Sequence, residues 1–199
     1  PSRPSVKTLA TGEVDAGEVA VDGLLDEPAW ARAPVSDGFV ERVPTPGARP
    51  PVRTELRVLA SPDAIYVAVT SFLLPEERPR ALELERDSFG IFSDDAISLK
   101  LDVRHDTRTT VGFVTNPAGA QLDYVAVENG TGFRREFDAI WDVAARVEDD
   151  RWVAEFELPK VALGLPERAD GAAERIVGLN VTRDHNARLA TYDWSPIPA

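Results

Sequence analysis

Cysteine and methionine are both absent from the 199-residue sequence, and histidine occurs only twice. Without cysteine there is no disulfide, no thiol nucleophile and no thiolate metal site. Without methionine there is no His–Met haem ligation, so only a pair of histidines, His105 and His185, could ligate a haem. Positive charge is also scarce. The chain carries 22 Lys+Arg against 34 Asp+Glu, a formal net charge of −12. Such a surface repels phosphate backbones, and nucleic acid is not an expected partner. No apolar run reaches the roughly 18–20 residues of a membrane-spanning helix. No stretch keeps a helical hydrophobic period over three turns. The sequence opens Pro-Ser-Arg-Pro with no initiating Met. A processed or excised piece is therefore expected, with any export signal removed. The end, Ser195-Pro196-Ile197-Pro198-Ala199, reads as a cut or a linker.

What is present is alternation. In Ser93-Asp94-Asp95-Ala96-Ile97-Ser98-Leu99-Lys100-Leu101-Asp102-Val103, residues Ile97, Leu99, Leu101 and Val103 fall on one side of an extended chain. Ala96, Ser98, Lys100 and Asp102 fall on the other. That is the period of a half-buried β-strand, with acids at its entrance and Arg104, His105 and Asp106 at its exit. Residues 52–58 alternate likewise, and 64–72 is apolar on both faces, so it is expected at the centre of a sheet. Further strands are expected at 18–21, 81–87, 109–115, 121–128, 139–147, 151–158, 176–182 and 191–194. Asn116-Pro117-Ala118-Gly119 and Glu148-Asp149-Asp150 supply turns. Pro28 opens a short helical turn that carries Trp30 as a core plug.

Hydrophobic content of 43% with 28% charged residues is ordinary for a globular chain of this length. About a dozen short strands separated by turns predict an all-β fold, one antiparallel β-sandwich over 18–199, preceded by a flexible arm at 1–17. Leu56, Val67, Leu99, Leu101, Phe156 and Leu179 are its expected core.

The order of motifs is the next signal. Val-Asp-Gly-x-x-Asp-Glu-Pro-Ala-Trp comes first, then Asp-Ala-Ile-Tyr-Val-Ala-Val, then Ser-Asp-Asp-x-Ile-x-Leu-x-Leu-Asp. Asn-Pro-Ala-Gly, Phe-Asp-Ala-Ile-Trp-Asp-Val, Trp-Val-Ala-Glu-Phe-Glu-Leu-Pro and Gly-Leu-Asn-Val-Thr-Arg follow. Over roughly residues 18–196 this set resembles the family 9 carbohydrate-binding modules, in the form found at the front of large bacterial outer-membrane proteins. The resemblance implies a sandwich of the wider DOMON-like group. It also implies an exported protein, periplasmic or at the cell surface of a bacterium, and a carbohydrate or similar amphipathic ligand. An outer-membrane barrel is the implied partner in the alternative role, that of an interaction domain.

Family 9 modules clamp a sugar between two Trp rings. By alignment on the acidic pair, the first ring falls at Phe92 and a nearby acid at Ser98. An Arg-x-Asn motif falls at Val114 and Asn116, and the second Trp falls past Trp194. The expected ligand site is thus Phe92 as wall, Ser98 and Lys100 as floor, and Asn116 on the far side, with Trp194 at a loop end. Asp94 and Asp95 either cap a turn or help to hold calcium through hard oxygen ligands. A catalytic reading would draw a glycosidase-type carboxylate pair from Asp95, Asp102, Asp123 and Glu128. Nothing in the spacing selects one pair, so no catalytic residue is assigned.

Overall fold

The computed structural model describes residues 7–106, 108–127, 132–134, 136–165 and 176–195. Glu128 and the expected tail at 196–199 lie outside them. The strands are β1 (Gly12–Glu13), β2 (Val40–Val43), β3 (Thr54–Ala60), β4 (Ala64–Phe72), β5 (Ala96–Asp102), β6 (Thr110–Thr115) and β7 (Gln121–Val127). They continue with β8 (Gly132–Arg134), β9 (Asp142–Val147), β10 (Arg151–Pro159), β11 (Gly178–His185) and β12 (Ala190–Asp193). One short helix, α1 (Pro28–Arg32), carries its Pro in the first turn, where no N–H partner is lost.

Two sheets face each other, β1-β3-β4-β10-β9 and β2-β12-β11-β5-β6-β7-β8. All pairings are antiparallel except β1 with β3. The apolar faces predicted for β3, β5 and β10 meet between the sheets. Leu56, Val67, Leu99, Leu101 and Phe156 are buried there with Trp141 and Trp152, and Leu179 packs against them half-buried. Each such side chain contributes about 1.5–3 kcal/mol by leaving water. The fold is an antiparallel β-sandwich.

Three segments differ from the sequence expectation. Residues 18–21 do not pair as a strand, because Glu27 Oε1 takes the Ala20 N–H and Asp15 O takes that of Glu18. Residues 81–87 form no edge strand, since the N–H groups of Leu82 and Glu83 both go to Asp94 Oδ2. The described part of the expected arm, 7–17, is docked. Lys7 Nζ donates to the carbonyls of Gly38 and Trp194, β1 pairs with β3, and Val14 is buried.

That docked stretch and α1 cover the outer face of the five-stranded sheet. Trp30, Val14, Val19 and Ala33 pack there on Leu59, Tyr66 and Ala68. Glu155 consequently points outward from β10 and is still fully buried. The seven-stranded sheet is covered on its outer side only in part. A 3₁₀ turn at Phe89–Ser93 lays Ile91 on Ala96, Val114, Leu122 and Tyr124, with Phe89 against the same cluster. The rest of that face is polar.

Candidate functional site

Register places the polar groups of that face in a row across four strands. Ser98 sits opposite Thr182, Lys100 opposite Asn180, and Thr182 opposite Asp193. Lys100 Nζ donates to Thr182 Oγ1 at 3.0 Å, and Thr182 Oγ1 donates to Asp193 Oδ1 at 2.7 Å. Arg42 Nε lies 2.9 Å from Asp193 Oδ2, and Thr191 Oγ1 donates to Asp184 Oδ1 at 2.9 Å. Burial pushes the Lys100 ammonium below its usual range, and Asp193 and Asp184 push it back. Burial raises Asp184, while Thr191, Arg42 and Lys100 oppose the rise. Two cations and two carboxylates thus balance across the row; its Ser98, Thr182 and Asp193 are buried, and the half-buried Lys100 and the exposed Arg42 reach solvent.

On the other side of β5 the face becomes apolar. Lys100 lies opposite Gly112, which lies opposite Tyr124. The Tyr124 ring occupies the space a side chain at Gly112 would need, since a Cβ there would stand 2.2 Å from Tyr124 Cζ. Burial pushes the Tyr124 hydroxyl up to about 12, so it stays protonated.

Of the predicted ligand residues, the structure brings Ser98 and Lys100 together on the outer face of β5. The predicted pairing of β5 with β6 is present, and Asn116 stands just past the end of β6. Phe92 is 42% exposed on the 3₁₀ turn, its ring 5.8 Å from that of Phe89. Asn116 is a different matter. It is fully buried, donating to Glu83 O at 2.8 Å and Asp94 Oδ2 at 2.9 Å, and accepting from the N–H groups of Ala118 and Ala120. Every hydrogen-bonding position of its amide is used to hold the turn and the 81–88 loop. Trp194 is 3% exposed and packs in the core rather than at a loop tip. Its Nε1 donates to Ser36 Oγ, and Lys7 Nζ stands 5.6 Å from the ring centroid.

Asp94 and Asp95 are loop clasps. Asp94 Oδ2 holds Leu82 N, Glu83 N and Asn116 Nδ2, while Arg80 Nε lies 3.5 Å from its Oδ1. Asp95 Oδ2 accepts from Arg80 N at 2.7 Å and Oδ1 from Asn186 N at 3.3 Å. All four oxygens thus have protein donors within 3.5 Å. Among the described residues, no group of three or more His, Asp or Glu could hold a metal ion. Of the described carboxylates considered for catalysis, Asp102 and Asp123 lie on opposite faces of the seven-stranded sheet. Asp123 points between the sheets, where it accepts from Trp141 Nε1 at 2.7 Å, whereas Asp102 lies on the outer face of β5. A hollow lined by Asp63, Glu157, Lys160 and Leu165 lies on the other sheet, away from every predicted site residue.

Sequence reasoning missed the β11–β12 half of the row: Thr182, Asp184, Thr191 and Asp193. The alternation of Asn180, Thr182 and Asp184 was the available signal, and it was broken off at Thr182 by the charged Arg183.

No family model matches the chain, and no curated protein matches it either. Solved structures do. A protein from Bacteroides uniformis, named as a candidate carbohydrate-binding protein, superposes with a TM-score of 0.68 at 14% identity, over 97% of this chain and 91% of that one. A family 9 carbohydrate-binding module from Caldicellulosiruptor kristjanssonii in complex with cellotriose gives 0.55 at 14% identity, over 93% and 84%. The same module in complex with glucose gives 0.56 at 13%, over 93% and 85%. The chain has the fold of a family 9 carbohydrate-binding module. In a family 9 fold with these residues, the outer face of the seven-stranded sheet pairs a polar row with an aromatic rim.

Proposed function

We propose that the protein is a non-catalytic carbohydrate-binding module that works outside the cell. The observation that carries the reading is the exposed Phe92 ring on the same sheet face as the Lys100–Thr182–Asp193–Arg42 row. A flat ring covers the C–H face of a sugar and excludes water, while paired donors and acceptors take its hydroxyls. The shared fold supports the reading, since its neighbours include modules named with cellotriose and glucose. The balanced charge of the row favours an uncharged ligand.

A glycan array followed by calorimetric titration tests this. Binding of a neutral sugar is the expected result, weakened about tenfold in Phe92→Ala with the melting temperature held. Failure of the wild-type protein to bind any sugar would overturn the proposal. Export, and attachment to an outer-membrane barrel, belong to the same proposal and rest on the resemblance in sequence. Fractionation of the source cells tests them, with the protein expected in the periplasm or at the surface.

A further inference from the structure

Of the four strands that form the edges of the two sheets, three are short or covered. β1 is two residues long and β8 three. The outer side of β2 is closed by its own loop, since Glu41 N donates to Ala48 O and Glu41 O accepts from Gly47 N. β9 is different. It runs six residues, pairs only with β10, and carries no Pro, Lys or bulge of the kind that blunts an edge. Glu148 N donates to Arg151 O at 2.8 Å and closes the β9–β10 hairpin. Alternation from that pair aims the N–H and C=O groups of Asp142, Ala144 and Arg146 at β10. Those of Val143, Ala145 and Val147 face outward, where among the described residues no hydrogen-bond partner meets them.

The side chains of this edge are matched to one another. Asp142 and Arg146 are exposed on the outer side of the sheet, in line with Ala144, which lies opposite Glu155. Among the described residues neither has an ion-pair partner. The run Asp142-Val143-Ala144-Ala145-Arg146 is therefore complementary to itself about Ala144. We infer that β9 is a docking edge for a second copy of this chain, the two strands pairing antiparallel about Ala144. Asp142 of each copy then stands opposite Arg146 of the other. These ion pairs fall at the positions between ladder bonds, where side chains are closest, while Val143 and Ala145 exchange the backbone hydrogen bonds. Centring on Val143 or Ala145 instead would oppose Ala144 to a charge and lose both ion pairs, so charge fixes the register. A strand of other sequence leaves Asp142 and Arg146 unmatched, which favours a second copy over an arbitrary extended peptide. Val147 of one copy comes beside Trp141 of the other, next to Ile140, and both Val147 and Ile140 are exposed in the single chain. The two-fold axis stands perpendicular to the joined sheet, so the outer faces of both seven-stranded sheets look the same way.

Pairing over so few residues buries less than a standard interface, and a weak dimer is expected, with a Kd on the order of 10–100 μM. Sedimentation velocity from roughly 1 μM to 1 mM should take wild type from monomer to dimer. Asp142→Arg and Arg146→Asp each set like charges opposite one another and should weaken the dimer at least about tenfold. Mixed in equal amounts, the two variants regain both ion pairs and should dimerise with each other as wild type does. Hydrogen exchange gives a second reading. The amides of Val143 and Ala145 should slow as concentration rises, while that of Ala144, already bonded to β10, stays unchanged. Melting temperatures should match wild type, since both side chains are exposed. Should a single variant fold poorly, the double exchange of Asp142→Arg with Arg146→Asp is again self-complementary and serves in place of the mixture. Wild type that stays monomeric at the highest concentration overturns the inference. So does a dimer that neither single variant weakens, or a mixture that fails to recover it.

Discussion

The indole nitrogen of Trp30 donates to Glu155 Oε1 at 2.8 Å, beneath the segment that covers the five-stranded sheet. Glu155 Oε2 accepts from the N–H groups of Asp22 and Gly23, so one carboxylate holds the cover at three points. Burial outweighs these donors and pushes Glu155 from 4.5 up to about 7, with Glu27 adding to the rise. A carboxyl whose folded pKa is raised binds its proton more tightly in the folded state. Its contribution is full below about 4.5 and is lost as pH climbs through about 7. Unfolding free energy should therefore fall between pH 5 and pH 8, by about 1–3 kcal/mol after solvent screening. Glu155→Gln should flatten that part of the profile. Parallel profiles for the two proteins would show that Glu155 does not titrate there.

Trp30→Phe keeps most of the packing and removes the indole donor. Chemical denaturation at pH 8, where the Glu155 carboxyl is ionised, should read a loss of about 1.5–3 kcal/mol, as for a hydrogen bond to a charged group. A change within error would mean that the two backbone donors hold Glu155 unaided.

Asn116→Ala should lower the melting temperature sharply. The change strands the buried Ala120 N–H and leaves the part-buried Glu83 O and Ala118 N–H without their partner, at a cost of about 2–4 kcal/mol. An unchanged melting temperature with weaker sugar binding would restore the exposed role expected from the sequence.

Calcium should not stabilise the protein. Asp94 and Asp95 already accept from Leu82, Glu83, Asn116, Arg80 and Asn186. Melting curves in millimolar calcium and in chelator should superpose. A rise of several degrees in calcium would show that the metal displaces those donors.

Strands whose two faces differ in polarity were legible. The alternation in β5 and in β10 identified Leu99 and Phe156 as core because period and burial coincide there. What the period cannot carry is a second layer. Glu155 alternates with the inward Ala154 and Phe156, and it is buried because residues 22–30 fold back over it from more than a hundred positions away. The site divides the same way. Ser98 and Lys100 share a face by simple alternation, whereas the burial of Asn116 and Trp194 depends on loops that no local pattern announces.

Arg183 is the clearest case of a residue that pattern alone misreads, since a charge at an inward position looks like the end of a strand. It is fully buried between the sheets. Nη1 donates to Thr54 Oγ1 at 3.0 Å and Arg53 O at 3.3 Å, and Nη2 donates to Phe72 O at 2.8 Å. Burial lowers its pKa to about 10, and the Asp95 charge opposes that shift. The guanidinium in turn favours the charged form of Asp95 against the pull of burial. Arg183→Met fills similar volume and removes every donor, so it leaves those acceptors and Asp95 short of compensation. It should cost about 3–5 kcal/mol by urea denaturation. Asp95→Asn should also destabilise, because an amide offers one acceptor where Arg80 N and Asn186 N now use two. If the two charges support each other across the sandwich, the double variant should lose at least about 1 kcal/mol less than the sum of the single losses. Additive losses would mean that Arg183 works only through the carbonyls and Thr54.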